Sequence, residues 1–500
     1  MAGFTTYNSS VICLIVALGA YGYGFGFGVF VSSVGQPGFF RDMDMDPESE
    51  YTARVMGATF SLFAFGAGLG AICQAWFADW LGRKKALAIA GTTSTIGAAL
   101  VAGAVNVPML VTTRILHGFG LGMILCLVPL YGTEIAPPKR RGIFSGITVM
   151  GYGMGYVLVA WISVGTYYAS NETLQWRLPL ALATVGPLLM LFGLPFIPES
   201  PRYLCWIDQF EKAHRILLGL HYDPNDPTNS VAEAEFIQIK RQTQFDKQEK
   251  AGYVQMFIKP SWRKRTLLIM FMMYASQSTG VTGISNYLIP ILTSLGFENG
   301  FPLIIYAIYS TIGTVCVFIV TFTVDRVGRR KMFLIGYPVL AVILLIEAML
   351  QRQYLGTGNR AGNIACVVFM NLYIVVFQLA DSPTIIWVSE VLPLTIRAKG
   401  IGLAIFSMMA GFITFSAPGG LAFRNLQWGM FLIFAGLCVI SAIIIYFFIP
   451  ETKGLPVEEI GELFGDRVVV HLTRDGHGIV EKAEEVRTEF VENISGDQKA

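Results

Sequence analysis

The sequence predicts an all-α membrane protein: twelve transmembrane helices in two pseudo-symmetric six-helix bundles. Three observations carry that expectation. Hydrophobic residues make up 54% of the 500 and charged ones 14%, with mean hydropathy +0.56, whereas soluble domains carry roughly 25% charged residues. Apolar stretches of about 20 residues, enough to cross ~30 Å of hydrocarbon as a helix, recur along the whole chain. The charged signatures that separate them appear twice, in the same order.

In the first half the apolar stretches cover 10–33, 55–78, 86–106, 108–131, 143–166 and 178–198. No charged residue precedes Arg41, so the basic region of a cleavable signal peptide is missing and the first stretch is expected to stay in the membrane. Asp79-Trp80-Leu81-Gly82-Arg83-Lys84-Lys85 divides the second stretch from the third. Glu134 closes the fourth and is followed by Lys139, Arg140, Arg141 and Gly142. Pro198-Glu199-Ser200-Pro201-Arg202 closes the sixth. The second half runs over 266–294, 301–324, 332–351, 363–389, 398–422 and 427–449. Its signatures are Asp325-Arg326-Val327-Gly328-Arg329-Arg330-Lys331, then Glu390 with Arg397 and Gly400, then Pro450-Glu451-Thr452-Lys453. Chance is a poor account of three ordered matches about half a chain apart. The division is therefore a first bundle over 1–198, a polar linker with short surface helices over 199–264, a second bundle over 265–449 and a tail over 450–500.

Composition excludes several function classes. A net charge of +2 with no basic arm gives no footprint for nucleic acid. The seven cysteines are scattered without CxxC or metal-ligand spacing, and are read as packing residues with no metal or cofactor. No nucleophile–base constellation or phosphate loop is visible, which argues against an enzyme. The glycine runs at Gly22, Gly24, Gly26 and Gly28 and at Gly118, Gly120 and Gly122 do not sit between a strand and a helix, as a dinucleotide fingerprint requires. They are read as close helix contacts. The expected partners are the bilayer and a small-molecule substrate, with the chain working as a monomer.

Cytoplasmic loops carry an excess of Lys and Arg. Arg83 to Lys85, Lys139 to Arg141, eleven basic residues from Arg202 to Arg265, Arg326 to Lys331, and Arg397 with Lys399 all fall on one side. Both termini are expected there, in the cytoplasm of a multi-pass protein of the plasma membrane. Asn171-Glu172-Thr173 falls outside, as a candidate glycosylation site. Asp79 and Glu134 end helices beside Arg83 and Arg141, and Asp325 and Glu390 end helices beside Arg329 and Arg397. Such ion pairs suit a gate that breaks as repeat-built halves rock.

These motifs resemble the sugar-porter branch of the major facilitator superfamily over residues 10 to 465. The resemblance rests on the paired loop signatures, Arg114-Ile115-Leu116-His117-Gly118, Pro129-Leu130-Tyr131 with Glu134, Pro198 to Leu204, Gln277-Ser278-Thr279-Gly280, Glu390 to Pro393 and Pro450 to Gly454. It implies a carrier working by alternating access, and it implies substrate-binding roles for Gln277 and Trp387 and a gating role for Tyr287. Independently of the name, Gln277 lies about 18 Å beyond Arg265 at ~1.5 Å per helical residue. A neutral amide at mid-membrane suits a polyhydroxyl ligand, and Asn286 and Tyr287 follow on the same helix.

Departures from the pattern carry equal information. Proton-coupled sugar porters hold an Asp in the first helix where this chain has Gly26, which points to facilitated diffusion. Val149, Ser276, Thr282 and Gly313 stand where the family has sugar-binding amides, and Trp387 is two residues nearer Glu390 than the family tryptophan. Asp381, an acid inside the tenth stretch, is expensive there and marks function, either as a proton site or as a substrate contact. Arg114 and His117 lie in the outer half of the fourth stretch, and His117 is expected to be structural. The leading reading is a carrier of a sugar, polyol or similar hydroxylated molecule. An exporter of a specialised metabolite on the same scaffold is the alternative, and a non-transporting nutrient sensor is disfavoured by the short tail.

Overall fold

The computed structural model describes residues 9–135, 141–220, 232–233, 236–237, 239–240, 243–244, 247, 252–453, 460, 462–465, 470–472 and 479–481. Among them, twelve helices are long and apolar enough to cross a membrane. They are Leu14–Val34, Glu50–Leu81, Arg83–Ala102, Val107–Ile135, Gly146–Tyr167, Glu172–Phe196, Pro260–Ser294, Phe301–Val327, Arg329–Tyr354, Arg360–Val391, Arg397–Leu426 and Gly429–Phe448. Several run a turn or more beyond the apolar stretches in the sequence, because apolarity marks only the hydrocarbon while the helix continues through the headgroup layer.

Polar residues set the helix ends. Ser49 accepts from Thr52 N at 3.1 Å, Asn171 from Thr173 N at 3.0 Å, and Asn359 from Ala361 N at 3.1 Å. Each occupies an orphan donor in the first turn. Three spans are broken: the sixth at Ala183–Thr184, the seventh at Thr279–Gly280, and the eleventh at Ala417–Pro418. Gly280 has φ +96°, and Phe434 fills the space where a side chain would stand, so the left-handed turn suits glycine alone.

Short helices Pro201–Trp206, Phe210–Leu220 and Tyr253–Ile258 lie between the sixth and seventh spans. In the tail, the turn Glu462–Phe464 places Phe464 under Lys264 and Arg265, at 5.8 and 5.1 Å from its ring. A three-residue antiparallel ladder, Val470–Leu472 with Ile479–Glu481, is a small addition to the helical architecture.

Candidate functional site: a central aromatic region and two charge clusters

On the face where the second and eighth spans end, here termed the basic face, each half builds the same charge cluster. Arg83 opens the third span and holds Glu134 through Nε at 3.0 Å and Nη2 at 3.1 Å. Its Nη1 lies 3.7 Å from Asp79. Glu199 accepts from the backbone N–H of Arg83 and Lys84 at 3.0 and 3.2 Å, placing a carboxylate on the positive end of the third span. Ser200 donates to Glu134. In the second half Arg329 holds Glu390 at 2.6 Å and Asp325 at 2.7 Å. Glu451 accepts from Arg329 N and Arg330 N at 3.0 and 3.1 Å, and Thr452 donates to Glu390 at 2.9 Å.

Gly82 and Gly328, at φ +93° and +104°, make these cradles possible. A Cβ at either would lie 2.6 or 2.7 Å from the Glu199 or Glu451 carboxylate. Burial and the nearby Glu199 charge push the Tyr203 phenol above its usual value, so it remains a donor to Trp80 O at 3.2 Å.

These main ion pairs lie within a half and not between halves. Arg397 donates to Leu392 O at 3.3 and 3.2 Å. Arg141 is the first residue of its helix, and its side chain, with Lys139 and Arg140, lies outside the described residues. Across the halves on the basic face, Lys399 reaches Asp79 at 3.9 Å and Gln74 donates to Ala398 O at 3.4 Å, while Tyr253 of the linker donates to Ile72 O at 3.0 Å. On the far face the halves also touch. Tyr287 and Phe60 rings are 5.8 Å apart, Gly57 packs on Ala417 O, and Trp161 donates to Thr311 at 3.1 Å.

Between these contacts the central region, here termed the chamber, is packed mainly with aromatic rings. Phe27 meets Phe63, Tyr156 and, across the halves, Phe412 edge to face at 5.7, 5.8 and 5.2 Å. Tyr23 meets Tyr152 at 5.4 Å. Gln277 ends the first segment of the broken seventh span and donates to Ser276 Oγ at 2.8 Å. The Ser276 hydroxyl, which donates to Met273 O at 3.3 Å, lies near Asp381.

Asn286 donates to Ser416 Oγ and Tyr287 to Ser416 O, both at 2.9 Å, so the pair braces the break in the eleventh span. Trp387 is wholly buried and its indole N–H has no partner among the described residues. The sequence reading had no signal for the ring cluster, because aromatic residues in a membrane span look the same whether they face lipid or a chamber. It also passed over Glu347, a second buried intramembrane acid, which accepts from Gln351 at 2.8 Å. A Glu four residues before a Gln inside one apolar stretch was the available sign. Asn171 is exposed and caps the sixth span.

A family model for sugar (and other) transporters matches residues 12–464. An MFS-type transporter, criB, of Aspergillus cristatus is 30% identical over 83% of this chain and 86% of its own. A low-affinity glucose transporter, HXT3, of Saccharomyces cerevisiae is 29% identical over 92% of this chain and 82% of its own. Among solved structures, the proton:xylose symporter XylE bound to 6-bromo-6-deoxy-D-glucose superposes with TM-score 0.75 at 22% identity, over 92% of this chain and 100% of that one. The inward-open xylose transporter XylE from E. coli gives 0.73 at 21% identity, over 90% of this chain and 99% of that one. At such identities the two structures speak for the fold.

Proposed function

The chain belongs to the sugar (and other) transporter family of the major facilitator superfamily, and from that membership we propose that it carries a sugar, polyol or similarly hydroxylated small molecule by alternating access. The observation that carries this reading is the pair Gln277 and Ser276 at the break in the seventh span, with the intramembrane Asp381 of the tenth span nearby. Broken helices at the boundary between repeats are where such carriers place their substrates. Amide, hydroxyl and carboxylate groups supply the donors and acceptors a polyol needs. Asn286 and Tyr287 would close the far side of the chamber, with Tyr287 against Phe60 as the gate contact. Trp387 would act on the ligand only after a conformational change uncovers it.

On this reading the basic face is cytoplasmic, both termini lie there, and the protein works as a monomer in the plasma membrane. Asp79, Arg83, Glu134 and Arg141, with Asp325, Arg329, Glu390 and Arg397, form the cytoplasmic gate. Asp381 serves as proton site or substrate contact. The aromatic walls favour one further reading, export of a specialised metabolite with a large apolar surface.

Counterflow in proteoliposomes with labelled glucose, xylose, inositol and an aromatic metabolite separates the readings. Neutral sugar or polyol exchange, weakened tenfold or more by Gln277→Ala, is the expected result. Exchange of the aromatic compound alone would establish the exporter and remove the sugar reading. Uphill accumulation driven by a pH gradient and lost in Asp381→Asn, with exchange retained, would assign the proton to Asp381.

A further inference from the structure

We propose that Arg114 and His117 form an anion-binding site in the first half, and that the anion is a carboxylate of the carried molecule. The inference rests on the transport reading above and extends its substrate class to hydroxylated acids such as aldonates and uronates.

Arg114 is fully buried in the far-face half of the fourth span. Its guanidinium lies over the rings of Phe30 and Phe63, at 5.0 and 4.3 Å from their centroids. Among the described residues no carboxylate pairs with it, and its Nε has no hydrogen-bond partner. Nη1 is 3.5 Å from His117 Nδ1. Guanidinium groups only donate, so Nδ1 is the acceptor and the neutral imidazole carries its proton on Nε2. That second nitrogen is also buried without a partner.

Two touching side chains therefore present two unmatched donors, Arg114 Nε–H and His117 Nε2–H, with one positive charge and no acceptor. Aromatic faces offset part of the cost of burying a guanidinium, but a buried cation is compensated in full only by an opposite charge with hydrogen bonds. Water would satisfy a donor and leave the charge. An anion satisfies both.

The first span supplies no such charge. A Cβ at Gly26 would lie 2.9 Å from His117 Nε2 and 2.7 Å from Leu121 Cδ1, so the position that points at the pair bears no side chain. The site is close to the chamber. Phe63 meets His117 at 5.7 Å on one side and Phe27 at 5.7 Å on the other. Phe27 is held in turn by Phe412 of the opposite half. When the halves separate, Phe412 leaves, and Phe27 and Phe63 are free to turn and open a route to the two donors.

The test uses the purified full chain, with its thermal midpoint followed against gluconate, galacturonate, chloride, phosphate and neutral glucose at matched ionic strength. Gluconate or galacturonate should raise the midpoint, and should exchange in counterflow. Gly26→Asp brings an internal carboxylate to the donors and should weaken the acid's effect at least tenfold. Arg114→Lys, which keeps the charge but loses the donor geometry, should weaken it severalfold and guards against misfolding of the first variant. Stabilisation by chloride or phosphate but by neither sugar acid overturns the assignment to substrate while keeping the anion site. No anion effect in the wild type, or an undiminished one in Gly26→Asp, overturns the site. Glucose exchange with no response to acids leaves the transport reading standing and removes only this inference, whereas no exchange of any neutral or acidic compound removes the transport reading.

Discussion

Glu134→Gln and Glu390→Gln are the same change at equivalent places in the two halves, yet the structure assigns them different effects. Glu134 is 8% exposed and accepts from two nitrogens of an Arg83 that is 11% exposed. Glu390 is 23% exposed and meets one nitrogen of Arg329. Removing one charge of a buried pair costs about 3 kcal/mol or more, and the cost falls towards the roughly 1 kcal/mol of an exposed pair as the carboxylate gains water and loses a contact. Thermal unfolding in detergent should therefore show Glu134→Gln as clearly the more destabilised variant. The gate responds through Asp79, which Arg83 shares with Lys399 of the opposite half. Arg83, released from Glu134, draws Asp79 away from a cross-half contact worth about 1 kcal/mol at most, and so raises the open population about fivefold. Cys73 reports on this, since its neighbour Gln74 makes a cross-half contact. Its alkylation by a maleimide, quantified by peptide mass, should speed up about fivefold in Glu134→Gln. An equal or larger loss of stability in Glu390→Gln, or an unchanged Cys73 rate, refutes the reasoning.

Burial alone would raise the Asp42 carboxyl, but hydrogen bonds from Trp176, Thr173 and Arg41 hold it below its usual value. A depressed folded value means the stabilisation is complete above the unfolded value of about 3.9 and is lost as pH falls through the lower folded one. The midpoint difference between wild type and Asp42→Asn should be constant above about pH 5 and shrink below pH 4; a difference that grows on acidification contradicts the assignment. At Asn171, endoglycosidase treatment of protein from eukaryotic cells should shift its mobility. Asn171→Asp should abolish the shift while keeping the cap, whose removal would cost about 1 kcal/mol. Absence of a shift in the wild type refutes the glycan and leaves the cap untouched.

The fold was legible because two patterns fix it independently. Apolar length counts the helices, and the doubled signatures group them by six. The charge clusters were legible for a related reason: acids and arginines at the ends of membrane spans usually have partners, so Asp79, Arg83 and Glu134 announce one another. The cradles added what adjacency in sequence hides. Glu199 and Glu451 touch backbone amides far along the chain, and only the repeated Pro-Glu-Ser and Pro-Glu-Thr hinted that they act alike.

The chamber was less legible, and the reason is physical. In water, burial sorts apolar from polar residues, whereas in lipid both the outer surface and the interior of a bundle are apolar. Phe27 facing Phe412 and Phe447 facing outward therefore carry the same signature in the sequence. Only the polar exceptions betray position. Gln277 and Asp381 stand out on that ground, and the structure ties Gln277 to Ser276 at the break in the seventh span. The same logic gives Arg114 and His117 their weight. An arginine in a span is costly wherever it lies, so its buried place beside Gly26, with no acid to meet it among the described residues, is better explained by a charge that arrives with the ligand than by packing alone.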